Sequence, residues 1–113
     1  MKGLCSLALA FGFLIVASPA SAQAPDGKAL YEKNCKMCHG ADGNPPAAMQ
    51  KMMPTLTAMS ASFMAARSDD SVVKVLTSGT AKMKPYKDKL SAEEMMAVAK
   101  YVRELAQKAG GPS

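Results

Sequence analysis

Cys35-Lys36-Met37-Cys38-His39 is the stretch that decides how the rest of this chain reads. Two cysteines three apart at the end of a helix carry their sulfurs on the same side. The adjacent His39 then presents an imidazole nitrogen from that face. A thioredoxin-like dithiol shares the CxxC spacing, but it needs no histidine after the second cysteine and sits in a βαβ setting that is missing here. The complete CxxCH pattern is the attachment signature of c-type haem, in which each sulfur adds across one vinyl group of the porphyrin and the histidine faces the iron.

The composition around the motif agrees with that reading. The chain has 113 residues, with 14 Lys and Arg against 9 Asp and Glu, 3 Cys, 1 His, 10 Met, no Trp and 5% aromatic residues. One domain is expected at this length. A single histidine excludes a Cys/His zinc finger and an iron held by two histidines of this chain. The apolar fraction of 49% owes much to Ala and Met, so few large rings are available to anchor a core. A covalent porphyrin would fill that middle.

Residues 1–22 read as a secretory signal and residues 23–113 as the domain proper. Lys2 precedes an apolar run from Leu4 to Val16, and Pro19-Ala20-Ser21-Ala22 supplies the small residues of a cleavage site, placed after Ala22. As a helix the apolar run would rise only ~20 Å at ~1.5 Å per residue, short of the ~30 Å hydrocarbon core that a permanent membrane span must cross. Cys5 lies inside that run and would leave with it. Export to the periplasm is therefore expected, where Cys35 and Cys38 must pair or be consumed by a partner group.

The remaining segments read as helices and loops. Asp26 can cap a first helix from Gly27 to about Cys35, with Pro25 ahead of it. Ala41 to Thr57 holds Gly43, Pro45, Pro46 and Pro54 and reads as loop. Ala58 to Ala66 reads equally as a short helix or as loop. Ser68 or Asp69 can start a helix through Val72, Val73, Val75 and Leu76 that stops at Gly79. Ser91-Ala92-Glu93-Glu94 is a capping box, followed by Met95, Val98, Val102 and Leu105 at helical spacing up to Gly110-Gly111. No segment alternates as a strand does, so the fold class is all-α.

From the CxxCH motif onward, over nearly all of residues 23–113, the chain resembles the small class I bacterial cytochromes c. That resemblance implies a cytochrome c fold of three to five helices around one covalent haem c, attached through Cys35 and Cys38, with His39 and a methionine as the iron ligands. It also implies a close crossing of the first and last helices, with Gly27 permitting the approach and Tyr31 packing on Val98 and Tyr101. Met83 stands in Gly79-Thr80-Ala81-Lys82-Met83-Lys84-Pro85-Tyr86 and is similar to the family's loop methionine, which shortly precedes a proline. Met95 and Met96 sit within a helix, and Met49, Met52, Met53, Met59 and Met64 fall where the family has pocket wall, so packing is the expectation for these. The run Met49-Gln50-Lys51-Met52-Met53 also offers the soft thioethers that select Cu(I), although no His or Cys accompanies them. By the same resemblance the carbonyl of a loop proline would accept the second N–H of His39, Pro54 being the best match and Pro45 and Pro46, nearer His39, the alternatives. A Met stands before Pro54 where the family often has Gly.

These features point to single-electron transfer by Fe(III)/Fe(II) cycling rather than to an enzyme. A His/Met pair leaves no open iron position, and beyond His39 there is no second His and no Ser/His/Asp set. Lys82, Lys84, Lys87 and Lys89 flank Met83, with Lys36 inside the motif, a pattern suited to redox donors and acceptors with acidic docking surfaces. Basic residues without interleaved aromatics argue against nucleic acid. A monomer meeting its partners transiently is the first expectation, and a haem-bearing subunit of a larger oxidoreductase or a haem-based sensor are the alternatives.

Overall fold

The computed structural model describes Gly3, residues 10–15 and residues 23–109. The signal sequence expected over residues 1–22, with Cys5 and the cleavage site after Ala22, lies for the most part outside them. So does Gly110-Gly111.

The described residues hold helices and connecting loops and no strand, as the sequence implies for an all-α fold. Six helical segments follow in order: α1 (Gly27–Asn34), α2 (Lys36–His39), α3 (Ala47–Met52), α4 (Ala61–Ala65), α5 (Asp69–Ser78) and α6 (Ala92–Ala109). The number exceeds the expected three to five because the haem motif and the region after Pro46 each form short helices of their own. None of the described helices is long and apolar enough to cross a membrane.

Local chemistry explains most of the ends. Asp26 accepts the N–H of Ala29 at 3.1 Å and starts α1. Ser60 and Ser68 do the same for Phe63 and Ser71, starting α4 and α5, and Asp69 and Asp70 place negative charge in the first turn of α5. The capping box of α6 is complete: Glu94 N–H donates to Ser91 Oγ at 3.1 Å, and Ser91 N–H donates to Glu94 Oε2 at 2.7 Å. The loop expected over Ala41–Thr57 requires correction. Pro45-Pro46 and Pro54 bracket α3 instead of preventing it, since proline is tolerated where a helix starts and six residues fit between the two sites.

Helix α6 organises the packing, touching α1, α5 and α4. Met95, Val98, Ala99, Val102 and Ala106 form its buried stripe, against Tyr31, Met64, Leu76 and Leu90. The crossing of α1 and α6 is close. A Cβ built on Gly27 would collide with the Ala97 carbonyl oxygen, lie 2.7 Å from its carbon and 3.1 Å from Tyr101 Cβ. Tyr31 and Tyr101 meet with ring centroids 5.4 Å apart at 57°. Helix propensity alone would make Gly27→Ala stabilising by up to ~1 kcal/mol. The backbone contact reverses that sign, and Gly27→Val should cost about 3 kcal/mol or more by overpacking. At ~4–8 °C per kcal/mol for a domain of this size, the thermal midpoint of the holoprotein falls by more than ~10 °C. An unchanged melting curve would rule the tight crossing out.

Arg103 ties α6 to the far side of the core. Its Nε donates to Asp69 at 2.8 Å, while its two terminal nitrogens donate to the carbonyls of Met64 at 3.0 Å and Arg67 at 2.7 Å. This holds the end of α4 and the start of α5 in register with α6.

Candidate functional site

Helix α1 carries the chain to Cys35, whose N–H returns to the Tyr31 carbonyl at 2.8 Å and closes that helix. The next turn restarts as α2, with His39 N–H bonded to the Cys35 carbonyl at 3.0 Å. Gly40, at φ +79°, ends α2, and its carbonyl accepts the buried hydroxyl of Tyr31 at 2.6 Å. Cys35, Cys38 and His39 are thus held on a single turn braced by a fully buried tyrosine. Neither cysteine is in a disulfide.

Two adjoining cavities, of about 610 and 460 Å³, open beside this turn. Cys35, His39, Thr55, Leu56 and Met83 line both. The larger lobe is completed by apolar side chains of α4, α5 and α6, among them Phe63, Met64, Val72, Leu76, Val98 and Val102, with Arg67 and Ser71 as polar members. The smaller lobe is bounded by Cys38, Met53, Tyr86 and the run Thr80 to Lys84. The fold therefore brings three of the four residues singled out in the sequence onto the walls of both lobes, and the fourth, Cys38, onto one.

The cleft is lined mainly by apolar side chains and suits a large apolar group. Apart from Tyr31, whose hydroxyl is satisfied by Gly40, no polar or charged residue is buried among the described residues. Burial lowers the pKa of His39 and keeps the imidazole neutral, the form that binds metals. Its Nδ1 is buried without a hydrogen-bond partner, and such an orphaned atom calls for one. Burial, and secondarily Cys38, push the Cys35 thiol up to about 11, which disfavours the thiolate that a dithiol redox catalyst needs. Two unpaired thiols and the adjacent neutral imidazole on the wall of an apolar cleft fit the covalent attachment of a haem, and the Met83 thioether stands on the same walls.

Two expectations about this site need correcting. No hydrogen bond joins His39 to Pro54: the loop turns after α3, with Leu56 N–H on the Met53 carbonyl at 2.9 Å, and leaves Pro54 exposed. Met52 is not pocket wall either, being 74% exposed at the end of α3, whereas Met53 lines the smaller lobe and Met59 and Met64 the larger. Thr80 and Tyr86 belong to the site without having been singled out. They carry no motif, and Tyr86 reaches the site through a bond from its hydroxyl to the Asn34 carbonyl at 3.0 Å. Lys36, Lys82, Lys84, Lys87 and Lys89 are all exposed, Lys82 and Lys84 on the rim of the smaller lobe. None of them is ion-paired among the described residues, where Arg103–Asp69 is the one salt bridge.

Comparison with known proteins agrees with the cleft. Residues 22–102 match the family model described as cytochrome c oxidase, cbb3-type, subunit III. Among solved structures the chain is similar to the KustC0563 c-type cytochrome, at 35% identity and a TM-score of 0.64, covering 71% of this chain and 96% of that one. A tyrosine-to-phenylalanine variant of that cytochrome gives 34% identity and a TM-score of 0.63, covering 71% of this chain and 98% of the other. No curated protein matches the chain. The CxxCH turn, the all-α frame and these similarities together place the chain in the class I c-type cytochromes, a family that holds haem c covalently and transfers electrons with its iron.

Proposed function

We propose that this chain is an exported carrier of single electrons with one haem c, attached through Cys35 and Cys38 and ligated by His39 and Met83. The observation that carries this reading is that Cys35 and His39, from one turn, and Met83, from a distant loop, share the walls of both lobes of one apolar cleft. When bound, the haem supplies a one-electron Fe(III)/Fe(II) couple, and a His/Met pair shifts that couple to higher potential than harder ligands would.

The residues of the chain do the rest. Val72, Leu76, Val98 and Val102 exclude water from the larger lobe, which disfavours added charge and tunes the potential. Burial keeps His39 in its neutral, ligating form. A six-coordinate iron has no free position for substrate, so the reading is a carrier and not an enzyme. The exposed lysines beside the smaller lobe steer partners with acidic surfaces to that side, raising the encounter rate while leaving the complex weak.

The location proposed is the periplasm, with the mature domain spanning residues 23–113. N-terminal sequencing of the exported protein is expected to read Gln23 first; a mature chain retaining the apolar run would contradict it. The function is tested by mixing reduced holoprotein with an acidic redox acceptor. One electron should leave per chain. Its bimolecular rate should fall by on the order of tenfold between ~0.01 and ~0.15 M salt, as the Debye length shrinks from ~30 to ~8 Å. A salt-independent rate would remove the steering, and a stoichiometry other than one would remove the single haem.

The matched family model is described by an oxidase subunit, which favours a second reading as the haem-bearing subunit of a larger oxidoreductase. Purification separates the two: a free carrier elutes alone as a monomer, and a subunit elutes with its assembly.

A further inference from the structure

Met83 sits in a segment fastened at both ends. At its start, Thr80 Oγ1 accepts the N–H of Met83 at 3.1 Å and that of Lys82 at 3.3 Å, while Thr80 N–H donates to the Met83 carbonyl at 2.8 Å. The Thr80 hydroxyl and backbone therefore close a small loop on Met83 itself. Gly79, at φ +67°, makes room for it, since a Cβ there would lie 2.5 Å from the Met83 carbonyl oxygen and 2.7 Å from the Pro85 nitrogen.

At its end, Tyr86 N–H donates to the Leu76 carbonyl at 2.7 Å, the last turns of α5. The Tyr86 hydroxyl crosses to the Asn34 carbonyl at 3.0 Å, a bond between residues 52 apart in sequence. Asn34 immediately precedes Cys35, and its own side chain is anchored to the Leu30 carbonyl at 2.9 Å. Tyr86 thus joins the wall of the smaller lobe that carries Met83 to the wall that carries the cysteines.

We propose that Thr80 and Tyr86 are positioning residues for Met83, setting how readily its thioether leaves the iron and gives way to another ligand. This rests on Met83 being the iron ligand, as read above. Both residues act through backbone: Thr80 holds the N–H and carbonyl of Met83, and Tyr86 holds the segment's end against α1. The apparent affinity of an added ligand scales with the fraction of molecules in which Met83 is displaced. Loss of the two bonds to Thr80 Oγ1 should raise that fraction about tenfold, and loss of the Tyr86 hydroxyl about fivefold.

Imidazole titration of the oxidised holoprotein, followed in the visible spectrum, tests this. Thr80→Ala and Tyr86→Phe are expected to bind imidazole about tenfold and about fivefold tighter than the parent, with Thr80→Ser restored to within about twofold of it. Met83→Ala should bind tightest. A purely structural role would lower the thermal midpoint and leave these affinities where they are. If Met83→Ala binds far tighter but Thr80→Ala and Tyr86→Phe stay within about twofold of the parent, the positioning role is overturned and Met83 remains the ligand. If Met83→Ala itself binds like the parent, the ligand assignment fails and the proposal falls with it. Should Thr80→Ala yield no holoprotein, Tyr86→Phe, which keeps its ring and its packing, decides the matter alone.

Discussion

The double variant Cys35→Ala, Cys38→Ala is expected to lose covalent haem and, with it, the folded state. Lobes of about 610 and 460 Å³ run along the core of a chain with no Trp and 5% aromatic residues. An empty cavity costs ~24 cal/mol per Å³, so the larger lobe left bare has an upper bound near 15 kcal/mol. A domain of this size has only ~5–15 kcal/mol of stability in total. Even a third of that cost, about 5 kcal/mol, equals the whole margin at the lower end of that range, and solvent access to the lobes does not restore the lost contacts of Val72, Leu76 and Val102. Far-ultraviolet circular dichroism of the variant should show a large loss of helix at room temperature. A cooperative, native-like melting curve for the haem-free variant would show that the helices close on themselves without the porphyrin.

Replacing Met83 should leave the fold standing and change the iron. Met83 is only partly buried and lies in a loop, and none of the helix caps depends on its side chain. With Met83 as the proposed iron ligand, Met83→Ala exchanges the thioether for water or a harder ligand, and the ferric form gains relative to the ferrous. The reduction potential is then expected to fall by on the order of 100 mV, about fiftyfold in the ratio of ligand affinities at ~59 mV per tenfold for one electron. The thermal midpoint should move far less than for Gly27→Val. Met95→Ala is the contrast: Met95 is 5% exposed on the buried stripe of α6, so that change should cost ~2–5 kcal/mol with little effect on the potential. Potentiometric titration of the two variants separates the roles, and a potential unchanged in Met83→Ala would move the second ligand elsewhere.

Reading the chain residue by residue succeeds where the physics is local. The Asp26 and Ser68 caps, the Gly79 stop and the Ser91–Glu94 box all depend on hydrogen bonds spanning three or four residues, and each appears in the structure where it was expected. The close approach at Gly27 was legible only through its spacing from Tyr31 together with the family resemblance. Reading fails where composition is taken for position, and where the outcome depends on what lies across the cleft. Three prolines and a glycine suggested a continuous loop, yet α3 forms between them because their positions, and not their number, matter to a helix. Met52 and Met53 are adjacent and chemically identical, but one faces solvent and the other the smaller lobe. Pro54 lost its expected role for the same reason, since the turn after α3 carries it to the surface.

The sequence by itself determined the all-α class, most helix ends and the CxxCH turn with its chemistry, because each resides in side chains within a few positions of one another. The tertiary structure decided which methionines face the cleft, how α6 meets α1, and that Tyr86 bonds across to Asn34. Those outcomes rest on contacts between residues as far apart as Tyr31 and Tyr101. Such contacts form only when the helices pack, and no local pattern encodes them.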